Sequence, residues 1–312
     1  MRIELFNPLS FIQIGKRDNQ EDARCPDIDC MDSSQRFFVV CDGVGGADYG
    51  EMASTTVCEA IQKAMRNIDL SDDFTNEMFS GVLDAAYDQL DKKAKTASYD
   101  MSTTLSFLCF HGQGCTMAHI GDSRIYQFRP GIGIIYKSDD HSLVNNMVRN
   151  GMLSPDEAEN HPQANVITRC MKPVRGMENR SQATVVRNHD IRTGDYFLLC
   201  SDGVLNCIDD DHLVDLLLQT DTDDEEKMLR LAQITQGSVD NNTAILVHVK
   251  SVDGKEEIDI LSDADNDDLD TNAPGQSPTC KFSKRWQENT EIESHKKEKK
   301  SLLGKIKDFF LA

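Results

Sequence analysis

Apolar residues recur along the chain in two patterns, short continuous runs and longer stretches with helical spacing. The run Phe37–Cys41 is short, β-branched and aromatic, and it therefore predicts a strand buried on both faces. Asp42 ends this run, and three closely spaced glycines follow, so the backbone there can take positive φ and approach a ligand. A helix is predicted next, because one helical stripe carries Met52, Ala53, Val57, Ala60, Ile61 and Ala64.

The same arrangement occurs a second time. The apolar run Tyr196–Cys200 predicts another strand, which leads into Asp202-Gly203 and then into a helical pattern near residues 209–219. A single Asp-Gly pair is usually only a turn. Two strands that each end in Asp-Gly suggest that two carboxylates, Asp42 and Asp202, converge on one site.

The rest of the first 250 residues predicts further helices and strands. Helices are expected at 74–95 and 224–236, with two short ones at 142–149 and 155–159. Strands are expected at 10–14, 102–110, 115–120, 125–128, 131–136, 183–186 and 243–249. The pattern weakens between residues 141 and 173, which predicts a surface insertion between strands, here called the flap, that shapes access to a site. We predict one domain over residues 1–250.

The composition changes after residue 250. Residues 253–270 hold nine acids against one lysine and few large apolar residues, so 251–280 is predicted to be a disordered acidic linker. Residues 281–312 are basic, with nine Lys and Arg against five acids. Their end forms one amphipathic helical face, with Leu302, Leu303, Ile306, Phe309 and Phe310. That helix could dock on its own domain, stay weakly ordered, or bind a membrane surface or a partner protein.

Charge and cysteine usage limit the class of protein. The chain has 312 residues and a formal net charge of −20, which argues against nucleic acid as a partner. Its ten cysteines include no C-x-x-C pair, so neither a zinc ribbon nor a thioredoxin motif is indicated, and a reducing compartment is expected. The sequence shows no secretory signal and no apolar run long enough to span a membrane, so we expect a cytoplasmic protein.

Carboxylates follow or precede several of the predicted strands, and an arginine lies close to the first of them. Taken alone, the charged loop at 17–22 reads as a solvated cluster, and Asp122 could be either a turn former or a ligand. Taken together, oxygen ligands without a histidine or thiolate partner favour Mg²⁺ or Mn²⁺. The candidates are Arg17, Glu21, Asp22, Asp42, Asp122, Asp202 and Asp240.

These residues suggest a chemistry. Two divalent cations would reverse the local negative field and lower the pKa of a water molecule between them. Arginine is suited to binding a phosphoryl group, because its planar guanidinium forms paired hydrogen bonds to phosphate oxygens. The sequence contains no G-x-x-x-x-G-K-[ST] loop, which argues against a P-loop NTPase. The residues therefore predict metal-assisted hydrolysis of a phosphoryl group.

The order of the motifs resembles a known family from about residue 13 to residue 249. Any one motif is weak, but the full set in this order is highly specific. The chain is similar to bacterial PP2C-type (PPM) metal-dependent serine/threonine protein phosphatases. The motifs are R-D-N-Q-E-D at 17–22, V-C-D-G-V-G-G at 40–46, S-T-T-L at 102–105, G-D-S-R at 121–124, H-P through V-I-T-R at 161–169, L-C-S-D-G at 199–203 and D-N-N-T at 240–243.

The resemblance implies an α+β fold, a four-layer α-β-β-α sandwich of two antiparallel sheets flanked by helix pairs. It implies that Asp42 bridges two metals, Mn²⁺ or Mg²⁺, with the Gly43 carbonyl on one of them. Asp202 and Asp240 would bind the other metal, and Asp122 with Asp202 a weaker third one. Further roles implied are ordering of metal-bound waters by Glu21 and Asp22, a phosphoryl clamp by Arg17, and support by Asn241.

The resemblance also implies a reaction. Phosphoserine and phosphothreonine in proteins, placed there by a Ser/Thr kinase, would be hydrolysed by a metal-bridging hydroxide without a phospho-enzyme intermediate. Many eukaryotic members carry a histidine just after the first Asp-Gly as a general acid, whereas this chain has Val44. The leaving group must therefore be protonated by another group, and His141 and His161 are interpreted as structural.

Three alternatives were weighed against this interpretation. The first is a catalytically weak or inactive PP2C-fold regulatory or binding protein, which is disfavoured because every expected acid is present. The second is a regulatory phosphatase of the sporulation or stress-response type, which is disfavoured because the motif set is complete. The third is an interaction protein whose purpose lies in the tail, which is compatible with catalysis.

Overall fold

The computed structural model describes residues 1–27, 32–44, 49–97, 100–159, 161–174 and 180–253. Within these ranges the strands are β1 Ile3–Leu5, β2 Leu9–Gln13, β3 Ala23–Cys25, β4 Phe37–Cys41, β5 Gly43–Val44, β6 Ser102–Thr103, β7 Leu105–His111, β8 Gly114–Ile120, β9 Arg124–Arg129, β10 Gly133–Lys137, β11 Thr184–Asn188, β12 Tyr196–Cys200 and β13 Asn242–Val252. The helices are α1 Tyr49–Met65, α2 Asn76–Ala94, α3 Leu143–Arg149, α4 Pro155–Glu159, α5 Asp202–Leu205, α6 Asp210–Leu217 and α7 Asp224–Thr235.

The strands form two antiparallel sheets. The first sheet has the order β1-β13-β12-β9-β10, and β2 pairs with β13 beside β1. The second sheet has the order β11-β8-β7-β4-β3. A separate two-stranded ribbon joins β5 to β6. All of these pairings are antiparallel, which allows the short turns and hairpins seen between β7, β8, β9 and β10.

Two apolar cores and a helical cover produce four layers. One core lies between the sheets and includes Phe38 and Val40 of β4 together with Phe197 and Leu199 of β12. The other lies between the second sheet and helices α1 and α2. On the far side of the first sheet, α6 and α7 bury Leu213, Leu217, Met228 and Leu231. The predicted α-β-β-α sandwich is confirmed.

Most predicted elements are present, with small changes at their ends. The helical stripe after the glycines became α1, and the segments predicted at 74–95 and 224–236 became α2 and α7. The predicted strand 102–110 is broken at Thr104, because Ser102–Thr103 pairs with β5 and Leu105–His111 pairs with β4. The sequence pattern missed β1 and β3, since three-residue strands carry too little alternation to be recognised.

Parts of the predicted organisation lie outside the described residues. The described residues up to 253 belong to one compact unit. The acidic linker is predicted to begin at residue 251, but Ser251 and Val252 still belong to β13, which pairs with β1. The rest of the predicted linker and the basic tail lie outside the described residues. Gly45 and Gly46 also lie outside the described ranges. Among the helices that are described, none combines the length and apolar character needed to cross a bilayer.

A buried ion pair fastens the first sheet to the segment that follows β11. Arg129 at the end of β9 donates from Nε and Nη2 to the two oxygens of Asp195, both at 2.8 Å. Asp195 is fully buried and also accepts hydrogen bonds from Gln127 Nε2 and the Arg192 amide, each at 2.9 Å. Arg129 also donates from Nη1 to Asp190 Oδ2 at 2.9 Å, so removing the charge of Asp195 would leave the nearly buried guanidinium with Asp190 as its remaining carboxylate partner.

We expect Asp195→Asn to lower the free energy of unfolding by about 2 kcal/mol, because it removes buried, charge-assisted hydrogen bonds and leaves Arg129 with the half-exposed Asp190 alone. Urea unfolding at neutral pH measures this change. The matched control is Glu226→Gln, which removes an exposed pair with Arg230 inside α7 and should change stability by less than about 0.5 kcal/mol. Equal effects of the two substitutions would contradict the prediction.

Candidate metal centre

The antiparallel pairing of β12 with β13 brings two of the predicted ligands to one edge of the first sheet. Cys200, the last residue of β12, lies opposite Ala244 near the start of β13. Asp202 follows β12 by two residues and Asp240 precedes β13 by two residues, so both lie beyond the same end of this strand pair. Burial raises the pKa of Asp202, and the charge of Asp240 adds to the effect.

The second sheet supplies Asp42 to the same place. Asp42 follows β4, and its backbone is fixed by two threonines: its amide donates to Thr104 Oγ1 at 2.9 Å, and its carbonyl accepts from Thr103 Oγ1 at 2.8 Å. The Asp42 carboxyl lies within hydrogen-bonding reach of the Asp202 carboxyl. The site is therefore built where the ends of the two sheets meet.

Asp22 is the most enclosed of the acids on the N-terminal loop. Its Oδ2 accepts a hydrogen bond from Ser201 Oγ at 2.7 Å, and that hydroxyl accepts one from the Thr243 amide at 2.9 Å. Burial raises the pKa of Asp22 to about 7, and the nearby charges of Asp202 and Asp240 add to the effect. Ser201 thus ties the carboxyl to β13 without adding charge.

Asp122 occupies the turn between β8 and β9. Burial, followed by the charges of Asp202 and Asp140, raises its pKa to about 7. Asp140 is itself gripped by Arg124, whose Nε and Nη2 donate to its two oxygens at 2.8 and 2.7 Å. Asp122 therefore lies at the end of the row of acids that is nearest the flap.

His141 at the start of the flap fixes the backbone of this turn. Its Nδ1 accepts a hydrogen bond from the Gly121 amide at 3.1 Å, so on the neutral ring Nε2 carries the hydrogen and donates to Thr184 Oγ1 at 2.9 Å. Burial, together with the charges of His119 and Arg169, lowers the pKa of His141 to about 4. The ring is a neutral positioning group for the residue next to Asp122.

Asn241 holds the N-terminal loop against β13. Its Nδ2 donates to the carbonyls of Ile14 and Asn19 at 2.8 and 2.9 Å, and its Oδ1 accepts from the Glu21 amide at 2.8 Å. The side chain is almost completely buried. One amide therefore fixes both ends of the loop that carries Arg17.

Arg17 is bound to Asp240. Its Nη2 donates to Asp240 Oδ2 at 2.6 Å, and this bond, opposed by partial burial, raises the pKa of the guanidinium. The side chain keeps 54% of its surface exposed. Arg17 is thus at the mouth of the site, and it is the cation that balances the Asp240 end of the acidic row.

Gly43 is required for close packing and does not adopt a left-handed backbone conformation. Its amide donates to the Glu21 carbonyl at 3.1 Å, and that carbonyl also accepts from Ser54 Oγ at 2.6 Å. A Cβ on Gly43 would overlap the backbone of Gly50 at the start of α1. The expectation of positive φ is therefore wrong for Gly43, which forms strand β5 instead. Its carbonyl as a metal ligand stays a prediction.

The electrostatics of the cluster favour bound cations. Burial and mutual repulsion raise the pKa values of Asp42 and Asp202. Two buried oxygens, Asp22 Oδ1 and Asp202 Oδ1, have no hydrogen-bond partner. In the described ranges no three acidic, histidine or cysteine side chains form a closed metal site by themselves. Carboxylates at these spacings fit Mg²⁺ or Mn²⁺, which keep several waters as ligands.

Sequence reasoning missed two contributors to this site. Ser201 was only one letter of a motif, and Asp140 was not a candidate, although its charge helps to raise the pKa of Asp122 and of Asp202. His141 was interpreted as structural, and its hydrogen bond to the Gly121 amide supports that interpretation. Only their positions in the sequence could have pointed to a role in the site, because Ser201 directly precedes Asp202 and Asp140 directly precedes His141 at the start of the flap. Their contacts depend on tertiary packing, which no sequence period records.

The raised carboxyl pKa values predict an unusual pH dependence for the metal-free protein. Between about pH 4 and pH 7 the folded chain binds protons at Asp22 and Asp122 that the unfolded chain has released, so stability falls as pH rises. We expect the free energy of unfolding to drop by about 2 kcal/mol or more between pH 5 and pH 7.5. Urea titrations in chelator measure the slope, and millimolar Mn²⁺ should abolish it. A stability that rises over this range would contradict the prediction.

Asn241→Asp is expected to loosen the Arg17 loop, because a carboxylate oxygen would then face the carbonyls of Ile14 and Asn19. We expect Mn²⁺ binding to weaken about 10- to 100-fold, as when a group that orients ligands is lost. Isothermal titration calorimetry measures the affinity. Asn150→Asp on the exposed end of α3 is the control and should bind Mn²⁺ normally. Unchanged binding in Asn241→Asp would contradict the positioning role.

Comparison with known proteins identifies the family. The family model for protein phosphatase 2C matches residues 14–233. Protein phosphatase PhpP of Streptococcus pneumoniae is 32% identical over 232 residues, which cover 72% of this chain and 89% of PhpP. Serine/threonine protein phosphatase PstP of Mycobacterium tuberculosis is 30% identical over 254 residues, which cover 79% of this chain and 47% of PstP.

Solved structures agree with these sequence matches. Serine/threonine phosphatase Stp1 of Staphylococcus aureus superposes with a TM-score of 0.67 at 28% identity, covering 80% of this chain and 99% of Stp1. The catalytic domain of PstP in complex with two manganese ions superposes with a TM-score of 0.63 at 26% identity, covering 80% of this chain and all of that domain. The resemblance inferred from the sequence motifs is confirmed, and the chain belongs to the protein phosphatase 2C family, with bacterial serine/threonine phosphatases among its relatives.

Proposed function

We propose that the chain is a metal-dependent phosphatase that hydrolyses phosphoserine and phosphothreonine in proteins phosphorylated by a Ser/Thr kinase. The observation that carries this proposal is the row of carboxylates Asp240, Asp202, Asp42 and Asp122, in which burial raises the pKa of the last three, with Arg17 exposed at one end. Bound cations would stabilise such a row of negative charges near neutral pH. The same cations would attract the negatively charged phosphoryl group of a substrate, which the carboxylates alone would repel. Family membership supports the same reaction class.

The carboxylates are proposed to hold two divalent ions, Mn²⁺ or Mg²⁺. Asp42, the Gly43 carbonyl, Asp202 and Asp240 would hold these two ions, and Asp122 with Asp202 would hold a third one more weakly. When bound, the ions supply charge neutralisation and activation of water for direct transfer of the phosphoryl group to water. Two manganese ions are bound in the related PstP domain, which supports this count.

The chain's own residues prepare the site for the substrate. When Asp240 serves as a metal ligand, its hydrogen bond to Arg17 would be released. Arg17 would then bind phosphoryl oxygens instead, because its planar guanidinium forms paired hydrogen bonds to phosphate. Glu21 and Asp22 would orient water, and Asn241 would keep their loop in place through the hydrogen bonds described above. No covalent phosphoenzyme is needed in this arrangement.

The departing serine or threonine oxygen must gain a proton from a group other than His141. Nδ1 of that ring is occupied by the Gly121 amide, and its pKa of about 4 leaves it neutral at physiological pH. Val44 cannot act as an acid. We therefore propose that water ordered at the carboxylate cluster delivers the proton.

A groove next to the Asp122 end suits a protein substrate. It has a volume of about 690 Å³ and extends from Asp122 and Asp202 along the flap. Apolar and amide side chains from the flap and from α5 line it, including Val144, Val148, Ala158, Asn165 and Leu205. A free phosphate would not use such a surface, whereas an extended polypeptide would contact it.

The proposal predicts Mn²⁺-dependent release of phosphate from a phosphothreonine peptide and from p-nitrophenyl phosphate. Asp202→Asn should lower kcat/KM at least about 100-fold on both substrates, because a ligand at the centre of the row is lost. Arg17→Lys should raise KM about tenfold while the metal requirement persists, because paired bonds to phosphate are lost.

Asp221→Asn is the matched control, since it removes an exposed acid beyond α6 and should leave both rates unchanged. The proposal is contradicted if the wild-type protein, loaded with Mn²⁺ or Mg²⁺, releases no phosphate from either substrate. That result would favour the alternative, an inactive member of the fold that binds phosphoproteins without hydrolysing them.

A further inference from the structure

A group of buried hydroxyls connects two of the segments that carry the acidic row. Its members are Thr103, Thr104, Ser106 and Ser123, and each keeps at most 1% of its surface exposed, although serine and threonine mostly lie at protein surfaces. The first three belong to the β6–β7 segment, and Ser123 lies in the turn from β8 to β9, where the chain crosses from the second sheet to the first. Buried hydroxyls at such a junction are expected to hold a specific arrangement, because each one needs a hydrogen-bond partner.

Thr104 holds the residue that follows β4 at two points. Its amide donates to the Asp42 carbonyl at 2.8 Å, and its Oγ1 accepts a hydrogen bond from the Asp42 amide at 2.9 Å. Thr103 Oγ1 donates to the same carbonyl at 2.8 Å. These bonds lie at the break between β6 and β7, so the strand is interrupted where its polar groups turn towards Asp42. The backbone of Asp42 is therefore fixed to Thr104.

The same threonine also reaches the turn that carries Asp122. Thr104 Oγ1 and Ser123 Oγ lie 2.7 Å apart and share one hydrogen bond. Ser106 Oγ donates to the Ser123 carbonyl at 2.9 Å, so the turn is held by its side chain and by its backbone. A Cβ on Gly121 would lie only 2.7 Å from Thr104 Cγ2, so the threonine methyl group fills the space beside that glycine. Thr104 therefore adjoins the residues on both sides of Asp122.

This connection opposes a repulsion between the two segments. Burial raises the pKa of Asp42, and the charges of Asp22, Asp202 and Asp122 add to the effect. When no cation is bound, the carboxylates of Asp42 and Asp122 therefore repel each other, and a turn without a tether would move away. A lysine or arginine could hold the turn, but its positive charge would compete with a bound cation. A pair of hydroxyls holds the turn without adding charge.

From these contacts we infer that Thr104 and Ser123 are positioning residues, which hold the Asp122 turn at the distance from Asp42 that lets ions bind at both carboxylates together. The inference rests on the proposed function, in which Asp42 and Asp122 are ligands of different ions and Asp202 is shared. Loss of a group that orients metal ligands weakens binding by about 10- to 100-fold. The Ser123 hydroxyl should matter most for the ion at Asp122, because Asp42 keeps its own bonds to Thr104 when Ser123 is changed.

The test counts the Mn²⁺ ions bound to the full-length protein, by titrating Mn²⁺ and following the electron paramagnetic resonance signal of the free ion. The wild-type protein should bind two ions and a third one more weakly. In Ser123→Ala the affinity for the third ion should fall at least about tenfold, whereas the affinity for the first two should change by less than about threefold. Thr104→Val should weaken the first two as well, because the Asp42 amide loses its acceptor. Thr104→Ser keeps the hydroxyl and should bind all three.

Thr116→Val is the matched control, because it removes a fully buried hydroxyl near the start of β8, where Thr116 Oγ1 lies 3.2 Å from His111 Nε2. Its melting temperature in chelator should fall about as much as that of Ser123→Ala, but it should bind Mn²⁺ like the wild type. The inference is overturned if Ser123→Ala binds the third ion normally, or if either variant weakens all three ions equally. Ser123→Ala decides the outcome alone if Thr104→Val does not fold.

Failure of the proposed function gives a different result. In that case the wild-type protein, loaded with Mn²⁺, releases no phosphate from p-nitrophenyl phosphate or from a phosphothreonine peptide, while the ion counts still decide the role of the two hydroxyls. Phosphate release by a wild type that binds two ions and no third one overturns the inference and leaves the phosphatase intact. A wild type that binds no Mn²⁺ rejects both.

Discussion

Mutual repulsion among buried carboxylates is the constraint on which the rest of this structure depends. Asp42 comes from one sheet and Asp202 from the other, and burial together with neighbouring carboxylate charges raises the pKa of both. Flexible loops would relieve that repulsion by moving apart. The strands prevent it, because β4 and β12 continue directly into the apolar core between the sheets. The core therefore keeps these carboxylates close together, and their negative charge can be neutralised only by bound cations or by protons.

The groups that position the carboxylates are mostly neutral. Asn241, Ser201, Thr104 and His141 hold backbone or carboxyl groups by hydrogen bonds and add no positive charge. Within the described ranges, arginines pair with the cluster at its two ends, Arg17 with Asp240 and Arg124 with Asp140. The carboxylates at the centre of the row have no arginine partner in this part of the chain, so their negative charge would be available to bind cations. Bound cations would reverse the local field, and a strongly acidic chain could then attract a phosphorylated substrate.

Much of the fold and the list of acids could be predicted from the sequence, because both depend on local pattern. Apolar runs that end in Asp-Gly marked β4 and β12, and the order of motifs identified the family. The support around the acids could not be predicted in the same way. Ser201 reaches Asp22 across 179 positions of sequence, and Asn241 reaches Ile14 across 227. Such contacts arise only when the sheets pack, and no periodicity of apolar residues encodes them.

The two ends of the acidic row differ in a way that bears on specificity. The Asp122 end opens into a groove lined by the flap, whose short helices α3 and α4 lie outside both sheets, whereas His141 and Met171 of the flap are fixed to the Asp122 turn and to a core. The Arg17 end is formed by two turns locked together through Gly15, Ser238 and Asn241, where a change in backbone would also move a carboxylate. A change in the backbone is therefore tolerated better in the α3–α4 part of the flap than in the turns at the Arg17 end, where only exposed side chains can vary without moving a carboxylate.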